Sequence, residues 1–83
     1  MKFEHYYMAN IRFSLYEKDL YVTIELMPRT KFSEIYRTDI KTVEKDLKEL
    51  FEALGRKYEL VDWKIAREGV QDEIRLKFTE VEE

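Results

Sequence analysis

The hydrophobic repeat of this chain changes period twice, and that change most constrains its fold. Phe3, His5, Tyr7, Ala9, Ile11, Phe13 and Leu15 recur every second residue, the period of a strand. Ile40, Val43, Leu47, Leu50, Phe51 and Leu54 recur every three or four, the period of a helix. After Gly55 the spacing returns to two through Val61, Trp63, Ile65 and then Ile74, Leu76, Phe78. The pattern predicts an α+β fold in ββαββ order: an antiparallel sheet from two β-hairpins with one α-helix packed on one face. Strands are expected at about 2–16, 20–27, 58–67 and 72–81, with the helix at about 39–54, in a single domain spanning 1–83. The periodic residues from Ile11 to Phe78, including Phe13, Leu15, Leu50, Leu54, Val61 and Trp63, are expected in the core. Strand order stays open at this level.

A strand from Lys2 to Tyr16 would run about 50 Å, against a usual 17–20 Å. It must bend near Met8-Ala9-Asn10, at a bulge, or overhang its partner. Pro28 ends the second strand, because proline donates nothing to a ladder. Ser33, Thr38 and Asp39 are the candidate helix caps, and Gly55 suits a left-handed C-terminal position. Glu68-Gly69 is expected in the turn before the last strand, and the acidic end, Glu80 to Glu83, is expected to fray. An edge carrying Phe3, Tyr6, Tyr7 and Met8 invites pairing with another chain, so a homodimer is expected.

Composition narrows the function classes. The chain has no cysteine, which removes disulfides, thiolate metal sites and cysteine nucleophiles and favours a reducing, cytoplasmic setting. Charged residues make up 40% of the chain, rich in Glu and Lys with few amides, a composition of the hyperthermophile kind. No apolar run reaches the ~20 residues needed to span a bilayer, and the first residues lack the apolar stretch of a signal peptide, so no membrane association is expected. The net charge of −3 argues against broad binding to nucleic acid, although Arg29, Lys31 and Arg37 cluster after Pro28.

No motif for catalysis, phosphate binding or metal binding appears, and neither a cofactor nor a metal is expected. His5 is the single histidine and reads as a structural, partly buried residue, since a metal site needs three or four converging ligands. Asp62 lies between Val61 and Trp63 but has the solvent parity of its strand. The more informative surface is the outer face of the first hairpin, expected to present Tyr6, Met8, Arg12 and Tyr16 beside Tyr21 and Met27. Tyrosine, methionine and arginine with sparse charge suit a protein interface. The chain therefore reads as a small non-enzymatic protein-interaction protein that self-associates through its first hairpin. The alternative is a nucleic-acid-binding regulator that stacks bases on the tyrosine face and takes phosphates on Arg29, Lys31 and Arg37. A third reading, a metal-independent ribonuclease, would draw on His5, Tyr6, Tyr7, Arg12, Glu25 and Arg37.

Overall fold

In the computed structural model, which describes residues 1–68 and 71–82, the chain forms the expected ββαββ arrangement. The elements are β1 (Tyr6–Tyr16), β2 (Asp19–Pro28), α1 (Arg37–Ala53), β3 (Tyr58–Glu68) and β4 (Gln71–Glu80). All strand pairs are antiparallel, and the order across the sheet is β1-β2-β4-β3. The two hairpins therefore meet through their second strands, leaving β1 and β3 as the edges. The turn expected at Glu68-Gly69 falls partly outside the described residues, with Glu68 closing β3.

Cross-strand register defines the face beneath the helix. Ile11, Ile24, Ile74 and Ile65 form one row; Phe13, Val22, Leu76 and Trp63 the next; Leu15, Leu20, Phe78 and Leu60 the third. Side chains from the inner strands β2 and β4 are buried along these rows, and α1 lays Ile40, Val43, Leu47 and Phe51 onto them. Each such burial is worth roughly 1.5–3 kcal/mol. Phe51 meets Tyr58 and Phe78 edge-on at 5.0 and 5.3 Å between ring centres, so the last helical turn sits over the Tyr58 end of the sheet.

Six residues expected in the core are instead substantially exposed: Phe13, Leu15, Leu50, Leu54, Val61 and Trp63. A helix is about 10 Å across and strands lie about 4.8 Å apart, so one helix shelters two strands, here the inner pair. Beyond its cover lie Phe13 and Leu15 on β1 and Val61 and Trp63 on β3, whereas Tyr58 at the start of β3 is held beneath Phe51.

Both edge strands carry a register shift, at Ala9 in β1 and at Val61 in β3. An extra residue reverses side-chain parity on one side of a bulge. Tyr6 and Met8 thus lie opposite Pro28 and Leu26 on the helix face, while Tyr7 lies opposite Met27 on the other. This corrects the expected placement of Tyr6 and Met8 on the outer face. β1 also begins at Tyr6, four residues later than expected. Before it, Phe3 enters the core and the terminal amine sits 3.5 Å from Asp46 on the helix.

The helix begins two residues earlier than predicted, and Tyr36 stands at its N-cap in place of Ser33, Thr38 or Asp39. The Asp39 carboxylate accepts the Tyr36 backbone N–H at 2.8 Å, half of a capping box. The other end closes as a Schellman motif: Arg56 N–H donates to Phe51 C=O and Gly55 N–H to Glu52 C=O, both at 2.9 Å, with Gly55 at φ +75°. The acidic end is tied down rather than frayed as far as Glu82, and Glu83 lies outside the described residues. Val81 N–H donates to Lys57 C=O at 3.0 Å, and Glu82 pairs with Lys18.

Candidate interaction surface

The face of the sheet away from the helix is charged and largely self-paired. Arg12 reaches Glu25 at 3.0 Å and Glu73 at 3.9 Å, Glu73 accepts from Arg75 at 2.8 Å, and Lys77 lies 3.9 Å from Asp19 and 5.8 Å from the centre of the Tyr21 ring. Tyr16 is opposite Asp19 and Tyr21 opposite Ser14, so the two tyrosines are diagonal neighbours at the hairpin end. Met27 lies at the other end, beside Tyr7. The six residues expected to form one surface are therefore divided: Arg12, Tyr16, Tyr21 and Met27 remain on this face, while Tyr6 and Met8 leave it. Tyr6 is 2% exposed. Its hydroxyl donates to Asp72 Oδ2 at 2.7 Å with the Ser33 carbonyl 3.1 Å away, and burial together with that carboxylate pushes its pKa up to about 12.

The basic segment gathers at the Pro28 end. The Arg29 guanidinium stacks 3.8 Å from the centre of the Tyr7 ring, and its backbone N–H donates to His5 C=O at 3.0 Å. Lys31 lies 5.1 Å from the ring centre of Phe32, which projects into solvent. Tyr36, edge-on to His5, leads into Arg37, the first residue of α1. Aromatic and cationic groups thus alternate around this end. The groups named for RNA cleavage are dispersed: Tyr6 is on the helix face, Arg12 and Glu25 are paired on the other, and His5 and Arg37 lie at the Pro28 end. Among the described residues, no group of three or more His, Cys, Asp or Glu converges to hold a metal.

The surface that sequence reasoning missed runs along the β1 flank of the helix. Lys48 and Glu52 line a shallow cleft with Tyr58 and Glu59, so that side of α1 faces β3. Asp46, on the opposite flank, meets Met1, and Leu50 follows it by one turn. Leu50 is 48% exposed and Leu54, just past the helix end, 69%; on β1, Phe13 is 49% exposed and Leu15 59%. Phe13 and Leu15 lie on a strand edge with no neighbour in the sheet, and Leu50 stands on the helix flank turned away from β3.

The two edges differ in chemistry. β3 carries Glu59, Asp62, Lys64 and Arg67, the charges by which sheets discourage pairing at an edge. β1 carries Arg12 alone, and its stretch from Asn10 to Tyr16 is regular after the bulge. The sequence signal for this surface was present in Phe13 and Leu15, but it becomes a surface only once β1 is known to be an edge. No family model, no curated protein and no solved structure matches this chain.

Proposed function

We propose that the protein is a small protein-interaction protein, acting without catalysis in the cytoplasm, whose first partner is a second copy of itself bound through the first hairpin. The observation that carries this reading is the exposure of Phe13 and Leu15 on an open and nearly uncharged strand, with exposed Leu50 on the helix flank away from β3. Surface area supports it. The chain exposes 6019 Å², whereas a monomeric protein of this mass is expected to expose about 5,300 Å². Its radius of gyration, 13.1 Å, exceeds the roughly 12 Å of a compact chain of this length. An excess of this size suits a protomer with one face still to be covered.

Replacing Phe13 and Leu15 by lysine tests the reading, because lysine on an edge opposes strand pairing. Both side chains are half exposed, so the helix signal in circular dichroism should persist while the mass in solution falls to that of one chain. An unchanged dimer in this variant counts against the β1 edge. Dissociation by Tyr16→Ala with Tyr21→Ala, and not by the lysine pair, would move the contact to the charged face.

One observation favours a second reading. Arg29 on Tyr7 and Lys31 by Phe32, followed by Tyr36 and Arg37, form an aromatic and cationic end of the kind that stacks single-stranded bases. Replacing Arg29, Lys31 and Arg37 by alanine should then weaken oligonucleotide binding and flatten its salt dependence. Equal binding by this variant and the parent would set the reading aside.

A further inference from the structure

The self-association proposed above leaves the arrangement of the two copies open, and the β1 edge narrows it to one register. The β1–β2 hairpin turns through two residues, Glu17 and Lys18, from Tyr16 to Asp19. A two-residue loop closes on a hydrogen-bonded pair, and such pairs alternate with non-hydrogen-bonded ones along an antiparallel ladder. Counting back from Tyr16, the backbone groups of Ser14 and Arg12 turn inward to β2. Those of Leu15, Phe13 and Ile11 turn outward to the free edge. The outward residues are also those whose side chains lie on the helix face.

Two identical strands that pair antiparallel about a two-fold axis place one residue opposite itself. An axis at Arg12 would set two guanidiniums against each other, a like-charge pair that disfavours the register. An axis at Ile11 would bring Phe13 against Ala9 of the partner subunit and carry the ladder into the bulge. An axis at Ser14 would set Ile11 against the turn residue Glu17 of the partner subunit. An axis at Phe13 avoids all three and keeps the whole stretch from Asn10 to Tyr16 paired. It sets Ile11 against Leu15 of the partner subunit, Arg12 against Ser14 of the partner subunit and Asn10 against Tyr16 of the partner subunit. Every apolar pair then falls on the helix face, and the outward N–H and C=O groups of Ile11, Phe13 and Leu15 all find partners.

We infer that two copies join through β1 in antiparallel register about a two-fold axis at Phe13, making one continuous eight-stranded sheet with both helices on the same side. Phe13 from each copy fills the seam, and Leu50 stands on the helix flank turned away from β3. At roughly half exposure, Phe13, Leu15 and Leu50 offer on the order of 300 Å² per copy, which with the paired strand backbones makes a contact at the small end of interface sizes. The second edge, β3, stays outside the contact, guarded by its charges, which limits the assembly to two chains.

The chain has no cysteine, so introduced thiols report on the register directly. Arg12 and Ser14 of the partner subunit form a non-hydrogen-bonded pair in this register, with Cα atoms about 4.5 Å apart, within disulfide range. Each of these positions lies about 8 Å from its own copy, beyond that range. The experiment mixes full-length Arg12→Cys and Ser14→Cys chains, one bearing a tag to distinguish them, and oxidises them after the mass of each has been measured. The expected result is a shift of the band from one chain to a tagged–untagged pair, with neither variant linking to itself. Phe13→Cys, which meets itself at about 5.5 Å, should link alone and provides an independent reading if either other variant folds poorly. Self-linkage of Arg12→Cys, or dimers that link in none of these combinations, would overturn the register while self-association stands. A single-chain mass for the parent protein would remove both.

Discussion

Tyr6 shows how one inserted residue redirects a side chain. The bulge at Ala9 turns it under the helix, where its hydroxyl bonds Asp72 across the end of the sheet. Tyr6→Phe should cost about 1–2 kcal/mol, since Asp72 loses its donor, as read by urea denaturation. The tyrosine's folded pKa of about 12 lies above its ordinary value of 10.0, so the folded state holds the proton more tightly. That contribution is fully present below pH 10 and is lost as pH rises through 12. Tyr6→Phe should remove this alkaline loss; a variant with the same alkaline profile as the parent would assign it elsewhere. Glu17 offers the converse case. It takes φ +57° at the first position of the hairpin turn, a left-handed conformation that costs a non-glycine residue about 1 kcal/mol. Glu17→Gly should therefore stabilise the chain by about 0.5 kcal/mol after its greater unfolded freedom is subtracted. Gly55 has φ +75°, and a Cβ placed there would meet no atom within 4 Å. Alanine at this position should therefore cost about 1 kcal/mol, from backbone strain alone.

At the scale of elements, the helix and inner strands form most of the core, and the edges join it at Tyr6 and Tyr58. Phe51 joins α1 to both β3 and β4 through its rings, and Phe51→Ala should cost about 3–5 kcal/mol, a large share of a small domain's stability. Arg12→Ala should cost under about 1 kcal/mol, because its pairs with Glu25 and Glu73 are reached from an exposed side chain. Much of this organisation is legible in the sequence. The period switch locates all four strands and the helix, Gly55 marks the helix end, and the over-long first strand points to irregularity at Met8-Ala9-Asn10. The consequence for parity is less visible. Apolar doublets, Tyr6-Tyr7 and Leu60-Val61, fit either face, and only the paired strand shows which member turns inward. Strand order is not encoded locally at all. Alternation in Phe13 and Leu15 reads the same for an inner strand and for an edge, so the candidate contact became visible only with the β1-β2-β4-β3 order.

For the whole molecule, the long axis of 45 Å against 20 and 19 Å follows from a narrow four-stranded sheet covered along its middle by one helix. Among the described residues, no helix is long and apolar enough to cross a membrane. Exposed Phe13 and Leu15 on β1 are the proposed contact for a second copy of the chain. A sheet guarded by charge at one edge and open at the other has a single direction in which to extend. The most direct measurement is sedimentation equilibrium of the full chain across micromolar concentrations, with and without short oligonucleotides. Self-association through β1 requires a mass of twice 10.2 kDa that oligonucleotides leave unchanged. A mass of 10.2 kDa at every concentration would rule it out.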